Sequence, residues 1–178
     1  MPNRVIRRRT FLTGAAALAF AAGANAAAQK MKLAIGCDHA GFPLKGPVLE
    51  LLHSWGYSVK DCGTFSTDPV DFPDIAQKVT GAVLSAQAER AIMVCGSGIG
   101  ACIACNKIPG IRAALVHDTF CAHQCVEHDN VNVACMGAWV IGVKMAEEVL
   151  KAYLNATFGT DEDLRRRVRK LDQMDKKK

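Results

Sequence analysis

Three short segments carry the residue types that can do chemistry. Cys37-Asp38-His39-Ala40-Gly41 sets a carboxylate beside an imidazole. Cys95-Gly96-Ser97-Gly98-Ile99-Gly100 sets a thiol directly before alternating glycines. Glu127-His128-Asp129-Asn130 offers another imidazole between carboxylates. In the second segment the glycines let backbone N–H groups turn inward ahead of a helix, whose positive end favours an anion. The glycine spacing is not that of a dinucleotide-binding fingerprint, and the Gly-Lys-Ser/Thr of a phosphate-binding loop is missing. Such a loop suits a single oxyanion, an enediolate for example, better than a pyrophosphate. A thiol at the edge of that field is expected to have a lowered pKa and to serve as base or nucleophile, which singles out Cys95. For Cys62 and Cys135 the plainer reading, a cysteine that packs in the core, is preferred.

These segments need a frame. Apolar runs at Lys32–Cys37, Ser58–Cys62, Arg90–Cys95, Arg112–Val116 and Val131–Met136 read as strands. Helical spacing fills the intervals: Leu44 to Trp55, Asp74 to Gln87, Gly100 to about Lys107, Thr119 to about Glu127, Val143 to Phe158, and a charged Asp161 to Asp175. Apolar strands alternating with helices imply a parallel sheet covered on both faces. In such sheets ligands sit beyond the carboxyl ends of the strands, where the strand order reverses. With the order 2-1-3-4-5 that point lies between strands one and three, where the loops 37–41 and 95–100 meet. His117 and Asp118, after strand four, point toward the edge of the same place, and His53 at a helix end reads as surface.

The N-terminal segment is a different kind of sequence. Arg4, Arg7, Arg8 and Arg9 precede an Ala- and Gly-rich run from Gly14 to Gly23, and Ala24-Asn25-Ala26 has the small-x-small pattern of a cleavage site. This is the order of a secretory signal. Arg8-Arg9-Thr10-Phe11-Leu12 further resembles a twin-arginine export signal. Cleavage after Ala26 takes 26 of the 178 residues and leaves 152; four arginines and no acids go with it, so the formal charge of +5 falls to +1. The remaining basic residues mix with acids near the C-terminus, so nucleic acid is not an expected partner, nor is a membrane once the signal is removed. The eight cysteines include Cys102-x-x-Cys105 and Cys121-x-x-x-Cys125. Both pairs fall in predicted helices, where a spacing of three or four puts each pair on one face and fits core packing equally well. No metal is expected, and a disulfide after export is the stronger of the two rivals to packing.

The order of Gly36-Cys37-Asp38-His39-Ala40-Gly41, Cys62-Gly63-Thr64, Asp71-Phe72-Pro73-Asp74, Cys95-Gly96-Ser97-Gly98-Ile99-Gly100, Asn106-Lys107, Gly110-Ile111-Arg112-Ala113 and Asn132-Val133 resembles the type B ribose-5-phosphate isomerase and galactose-6-phosphate isomerase family. The resemblance implies a Rossmann-like three-layer α/β/α sandwich on a five-stranded parallel sheet. It implies dimers with each site built across the interface (a tetramer being the larger alternative) and cofactor-free aldose–ketose isomerisation through an enediolate. On this resemblance Cys95 matches the base that moves a proton between C1 and C2. Other members place a Glu after the glycine loop, where Ala101 stands here. Ser97 matches the hydroxyl supporting the base, and Gly96, Gly98 and Gly100 match the anion hole. Asp38 and His39 match substrate-binding residues, and His128 matches the histidine that opens the sugar ring. Asp129 stands where Asn is usual. The phosphate clamp departs from the pattern: Gly137-Ala138-Trp139 replaces Gly-Ser-Arg or Gly-Gly-Arg, and Asp163-Leu164-Arg165-Arg166-Arg167 replaces Arg-His-x-x-Arg, so that Arg167 alone matches directly.

The sequence therefore divides into a signal (1–26), an isomerase domain (31–160) and a charged C-terminal helix and tail (161–178). The expected activity is aldose–ketose isomerisation of a sugar phosphate, or of a free or modified sugar met after export to the periplasm; without use of the signal the place would be the cytoplasm. A periplasmic sugar-binding protein that has lost catalysis is the alternative, and a redox or metal protein using Cys102 and Cys105 a third.

Overall fold

The computed structural model describes residues 30–175. The segment read as an export signal and the last three lysines lie outside the described residues. Five strands, β1 (Lys32–Cys37), β2 (Ser58–Asp61), β3 (Arg90–Cys95), β4 (Ala113–Leu115) and β5 (Val133–Gly137), alternate with helices α1 (Phe42–Ser54), α2 (Phe72–Leu84), α3 (Ile99–Cys105), α4 (Thr119–Asp129), α5 (Val143–Asn155) and α6 (Glu162–Asp175). Every strand pair is parallel. Proline enters the first turn of α1 and of α2, where its missing N–H costs nothing.

Alternation along the strands builds two cores. Leu33, Ile35 and Cys37 of β1 and Ile92 and Val94 of β3 face α1, α4 and α5. Ala34, Ala91, Met93 and Cys95 face α2 and α3. The period of two thus puts Cys95, the last residue of β3, on the α2–α3 side. Arg90 ties the far end of the sheet to α5, donating to Tyr153 O at 2.6 Å and Ala156 O at 2.8 Å, carbonyls that the helix end leaves open. α6 lies outside α4: Val168 is buried, Arg112 pairs with Asp172 at 3.0 Å, and Gly110 N donates to Asp175 at 2.8 Å.

The strand order is β2-β1-β3-β5-β4, so the expected order is corrected in its last pair. β5 is buried along its whole length, which suits an interior strand, whereas the three residues of β4 are part exposed and suit an edge. The reversal between β1 and β3 stands as expected. The correction matters for the site, because Gly137 of β5, and not the end of β4, is the register partner of Cys95.

Candidate active site

Cys95 and Asp38 meet at the carboxyl ends of β3 and β1. The register Cys37↔Val94 brings the residue after β1 beside the end of β3. Asp38 is 4% exposed and Cys95 9%. The Cys95 thiol donates to Asp38 Oδ2 at 2.8 Å, while Asp38 Oδ1 accepts from Gly41 N, also at 2.8 Å. One carboxylate thus orders the start of α1 and holds the candidate base. The sequence expectation makes Asp38 a substrate contact; in the structure it touches Cys95.

The expected lowering of the Cys95 pKa is overturned. Burial raises it most, and the hydrogen bond and negative charge of Asp38 raise it further. The amides of Gly98 and Gly96 face the sulfur and pull the other way without prevailing. The resting group is a protonated thiol, and its thiolate, once formed, is a strong base. Replacing Asp38 with Asn removes the charge that holds the proton on sulfur. In Asp38→Asn the Cys95 thiolate is expected to form at lower pH, seen as a downshifted ultraviolet thiolate titration after subtraction of the Cys95→Ala curve. An unchanged or raised midpoint would refute the role given to Asp38.

The loop after β3 is bound to the turn after β5. Ala138 N donates to Cys95 O at 2.9 Å and Trp139 N to Gly96 O at 3.0 Å. Gly137 N donates to His117 Nε2 at 2.9 Å, which assigns the acceptor role, and hence the neutral ring, to that histidine; burial lowers its pKa, against the opposing charge of Asp118. Gly98 has φ +80°, and a Cβ there would lie 2.9 Å from the Met136 carbonyl carbon, so only glycine makes this bend. Gly96 is covered by the Trp139 indole: a Cβ on it would fall 2.8 Å from the ring. The Ser97 hydroxyl accepts from Ile99 N at 3.3 Å, so it shapes the loop and does not meet the Cys95 sulfur. His39 is exposed at the rim, its Nδ1 accepting from Val70 N at 3.3 Å.

Cys95, Asp38, His39, Ser97, Gly96, Gly98 and Gly100 are therefore gathered at one end of the sheet. His128, Asp129 and Arg167 are not. α4 starts just past the carboxyl end of β4 and runs back to the amino end of β5, so His128 and Asp129 close it at the opposite edge. Arg167 belongs to α6, which lies along α4 and reaches Arg112 and Gly110 at the amino end of β4. There His128 has Gln124 Nε2 3.4 Å from Nδ1 and Glu127 3.8 Å from Nε2.

Of the two thiol pairs, Cys105 and Cys125 are buried, Cys102 is half-buried and Cys121 is exposed. All eight cysteines are free thiols, and no cluster of His, Cys, Asp and Glu fit for a metal occurs among the described residues. The Cys102 thiol donates to Ala113 O at 3.5 Å and accepts from Asn106 Nδ2 at 3.6 Å, and the neighbouring Cys135 of β5 lowers its pKa.

Two residues of consequence do not stand out along the sequence. His117 is marked there only by its place after a strand, and its partner Gly137 depends on the strand order. Lys45 sits among the apolar residues of α1. It is 3% exposed, and its ammonium contacts both Asp61 oxygens at 2.8 Å and Thr64 O at 2.7 Å. A lysine within an apolar helical stripe is the one sequence signal that could have marked a buried pair.

Comparison with known proteins agrees with this geometry. A family model described as Ribose/Galactose Isomerase matches residues 33–171. A ribose-5-P isomerase B of Listeria innocua is 39% identical over 128 residues, 72% of this chain and 86% of its own length. A D-erythrulose-4-phosphate isomerase of Pectobacterium atrosepticum is 39% identical over 132 residues, 72% of this chain and 85% of its own. The solved structure of a Clostridium thermocellum ribose-5-phosphate isomerase B superposes with a TM-score of 0.80 at 39% identity, covering 83% of this chain and 99% of that one.

Proposed function

The chain belongs to the Ribose/Galactose Isomerase family, and from that premise we propose that it interconverts an aldose and its ketose without a cofactor, with Cys95 as the base. The observation that carries the reading is the Cys95 thiol held by Asp38 beside the inward amides of Gly96 and Gly98. Cys95 reacts as its thiolate, the minor form that Asp38 and burial hold scarce. The thiolate removes the proton from C2 of the open-chain aldose, and the electron pair moves into a C1–C2 double bond. The negative charge that collects on O1 lies against the loop amides, fixed donors that need no rearrangement as charge develops. The hydroxyl proton passes from O2 to O1, the thiol returns its proton to C1, and the ketose is complete. Proton transfers by a placed base of this kind contribute about 10²–10⁴-fold.

Ring opening and binding of the far end of the sugar fall to His128, Asp129 and Arg167, which lie at the other edge of the sheet in one chain. A homodimer in which a second copy brings its amino-end edge to the Cys95 loop reunites them. Its sites are then shared, and a variant in either half would be complemented by mixing the two.

The substrate proposed is a pentose or hexose, phosphorylated as in the named relatives or free. Export, proposed from residues 1–26, favours a free or otherwise modified sugar. The test is a panel of ribose 5-phosphate, allose 6-phosphate and free aldoses assayed in deuterium oxide with the chain lacking residues 1–26. Ketose formation with solvent deuterium in the product is the expected result. A kcat/KM far highest for ribose 5-phosphate would overturn the shift away from phosphate. Saturable binding of every sugar with no turnover would overturn the catalytic reading and favour a sugar-binding protein.

A further inference from the structure

We infer that Trp139 is a stacking platform for the uncharged C–H face of the substrate sugar, set at the mouth of the Cys95 loop. The inference rests on the isomerase reading for the identity of that sugar, and on its own geometry for the platform.

The indole lies on Gly96. A methyl carbon placed on that glycine would meet three carbons of the six-membered ring at 2.8, 2.9 and 3.0 Å, so one face of the ring covers the glycine. The residue nevertheless remains 78% exposed, which leaves the opposite face open. An exposed aromatic could simply wave from a mobile turn, but this one stands on a braced backbone. Trp139 N is bound to Gly96 O and Ala138 N to Cys95 O. Val140 N and Ile141 N both close on Gly137 O at 3.0 Å, and Gly137 N is held by His117. Gly137 itself is wedged under the loop, where a Cβ would lie 2.7 Å from the Ser97 carbonyl. The platform, the amides of Gly96 and Gly98, and the Cys95 sulfur thus form one rigid piece. A sugar whose C1 and C2 sit at the sulfur passes its remaining carbons over or beside the indole.

The chemistry of that surface selects the ligand. An indole offers a polarised π-face and a single neutral N–H, with no formal charge to meet a phosphate dianion. Of the basic groups at this end, Lys45 spends its donors on Asp61 and Thr64, His117 spends Nε2 on Gly137, and His39 stands exposed at the rim with Nδ1 accepting from Val70 N. C–H-rich sugar faces, in contrast, gain from contact with an exposed aromatic ring that is already ordered, since little freedom is lost on binding.

The protein contains two tryptophans, and Trp55 follows the far end of α1, at the opposite edge of the sheet. Trp139 emission is therefore a local reporter. The probe is a methyl riboside, whose ring cannot open and which cannot turn over. Saturable quenching or shift of the emission in the wild-type chain, absent in Trp139→Phe, is the expected result. In steady-state assays on the best sugar of the panel, Trp139→Ala is expected to raise KM about threefold to tenfold with kcat held within about twofold, and Trp139→Phe to restore most of the loss. No emission change with the riboside together with an unchanged KM in Trp139→Ala would overturn the platform while leaving the isomerase reading in place. An emission change with no turnover of any sugar would sink the isomerase reading and keep the platform. A Trp139→Ala chain that dissociates on size exclusion while KM is unchanged would make the indole a subunit contact and refute the inference.

Discussion

Cys95→Ala is expected to lower kcat by about 10³-fold or more while the protein keeps its fold. The side chain is small and the cavity left by one sulfur is slight, so the urea midpoint should move little. What is lost is the only atom in the loop positioned between the Gly98 and Gly96 amides and the Asp38 carboxylate that can carry a proton to and from carbon. Cys95→Ser separates the base from the hydrogen bond. The serine hydroxyl can still donate to Asp38, yet it does not ionise in the range where a thiol does, so the serine variant should be as inactive as the alanine one. A sign for the pH dependence follows. The raised thiol pKa means that thiolate is scarce at neutral pH, so kcat/KM of the wild type should climb as pH rises toward that pKa. Asp38→Asn should move the climb to lower pH. A Cys95→Ala chain with full turnover, or a profile flat through the alkaline range in the wild type, would remove Cys95 from the role of base.

Much of this site is legible along the chain, for a reason that lies in the alternation of strands and helices. A parallel sheet reverses its order somewhere, and the loops beyond that point are where ligands bind. Cys37 to Gly41 and Cys95 to Gly100 take their places there from their ranks in the chain. The order of the last two strands is not legible, because Arg112–Val116 and Val131–Met136 are apolar runs of similar length; burial on both faces, which decides between an inner strand and an edge, is a property of the packed sheet. The consequence reaches the site, since the inner place of β5 is what lays Trp139 on Gly96 and gives Gly137 to His117. The ionisation of Cys95 escapes the sequence for a similar reason. Glycines in a loop announce amides, whereas burial and a carboxylate arriving from another strand do not show along the chain. The family resemblance groups His128 and Asp129 with Cys95, although α4 has 11 residues and carries its end about 16 Å from its start. The sequence identifies such residues as members of one site without stating that one chain cannot bring them together.

Lys45→Met is expected to be the most destabilising single substitution proposed, at about 3 kcal/mol, or roughly 6–12 °C in Tm for a chain of this size. The methionine fills the space that the lysine stem occupied between the α1 core residues, so lost packing is minor. The cost is electrostatic. Asp61, with its side chain 27% exposed, would keep a charge no longer paired, and Thr64 O would lose its donor. Asp61 Oδ1 also accepts from Gly63 N at 2.9 Å, so the same carboxylate orders the segment that continues the β1 ladder: Cys37 N donates to Gly63 O and Thr64 N to Cys37 O, both at 2.7 Å. Loosening this segment reaches the residue directly before Asp38. The double variant Lys45→Met/Asp61→Asn tests the account. Asparagine keeps an acceptor for Gly63 N and removes the stranded charge, so the double variant should be more stable than Lys45→Met alone, with about 1 kcal/mol still missing for the orphaned Thr64 carbonyl. Urea unfolding of the four chains of this cycle gives the coupling directly. A loss below about 1 kcal/mol in Lys45→Met, or a double variant no more stable than the single, would show that the pair contributes little and that the loop before the site is held by its backbone bonds alone.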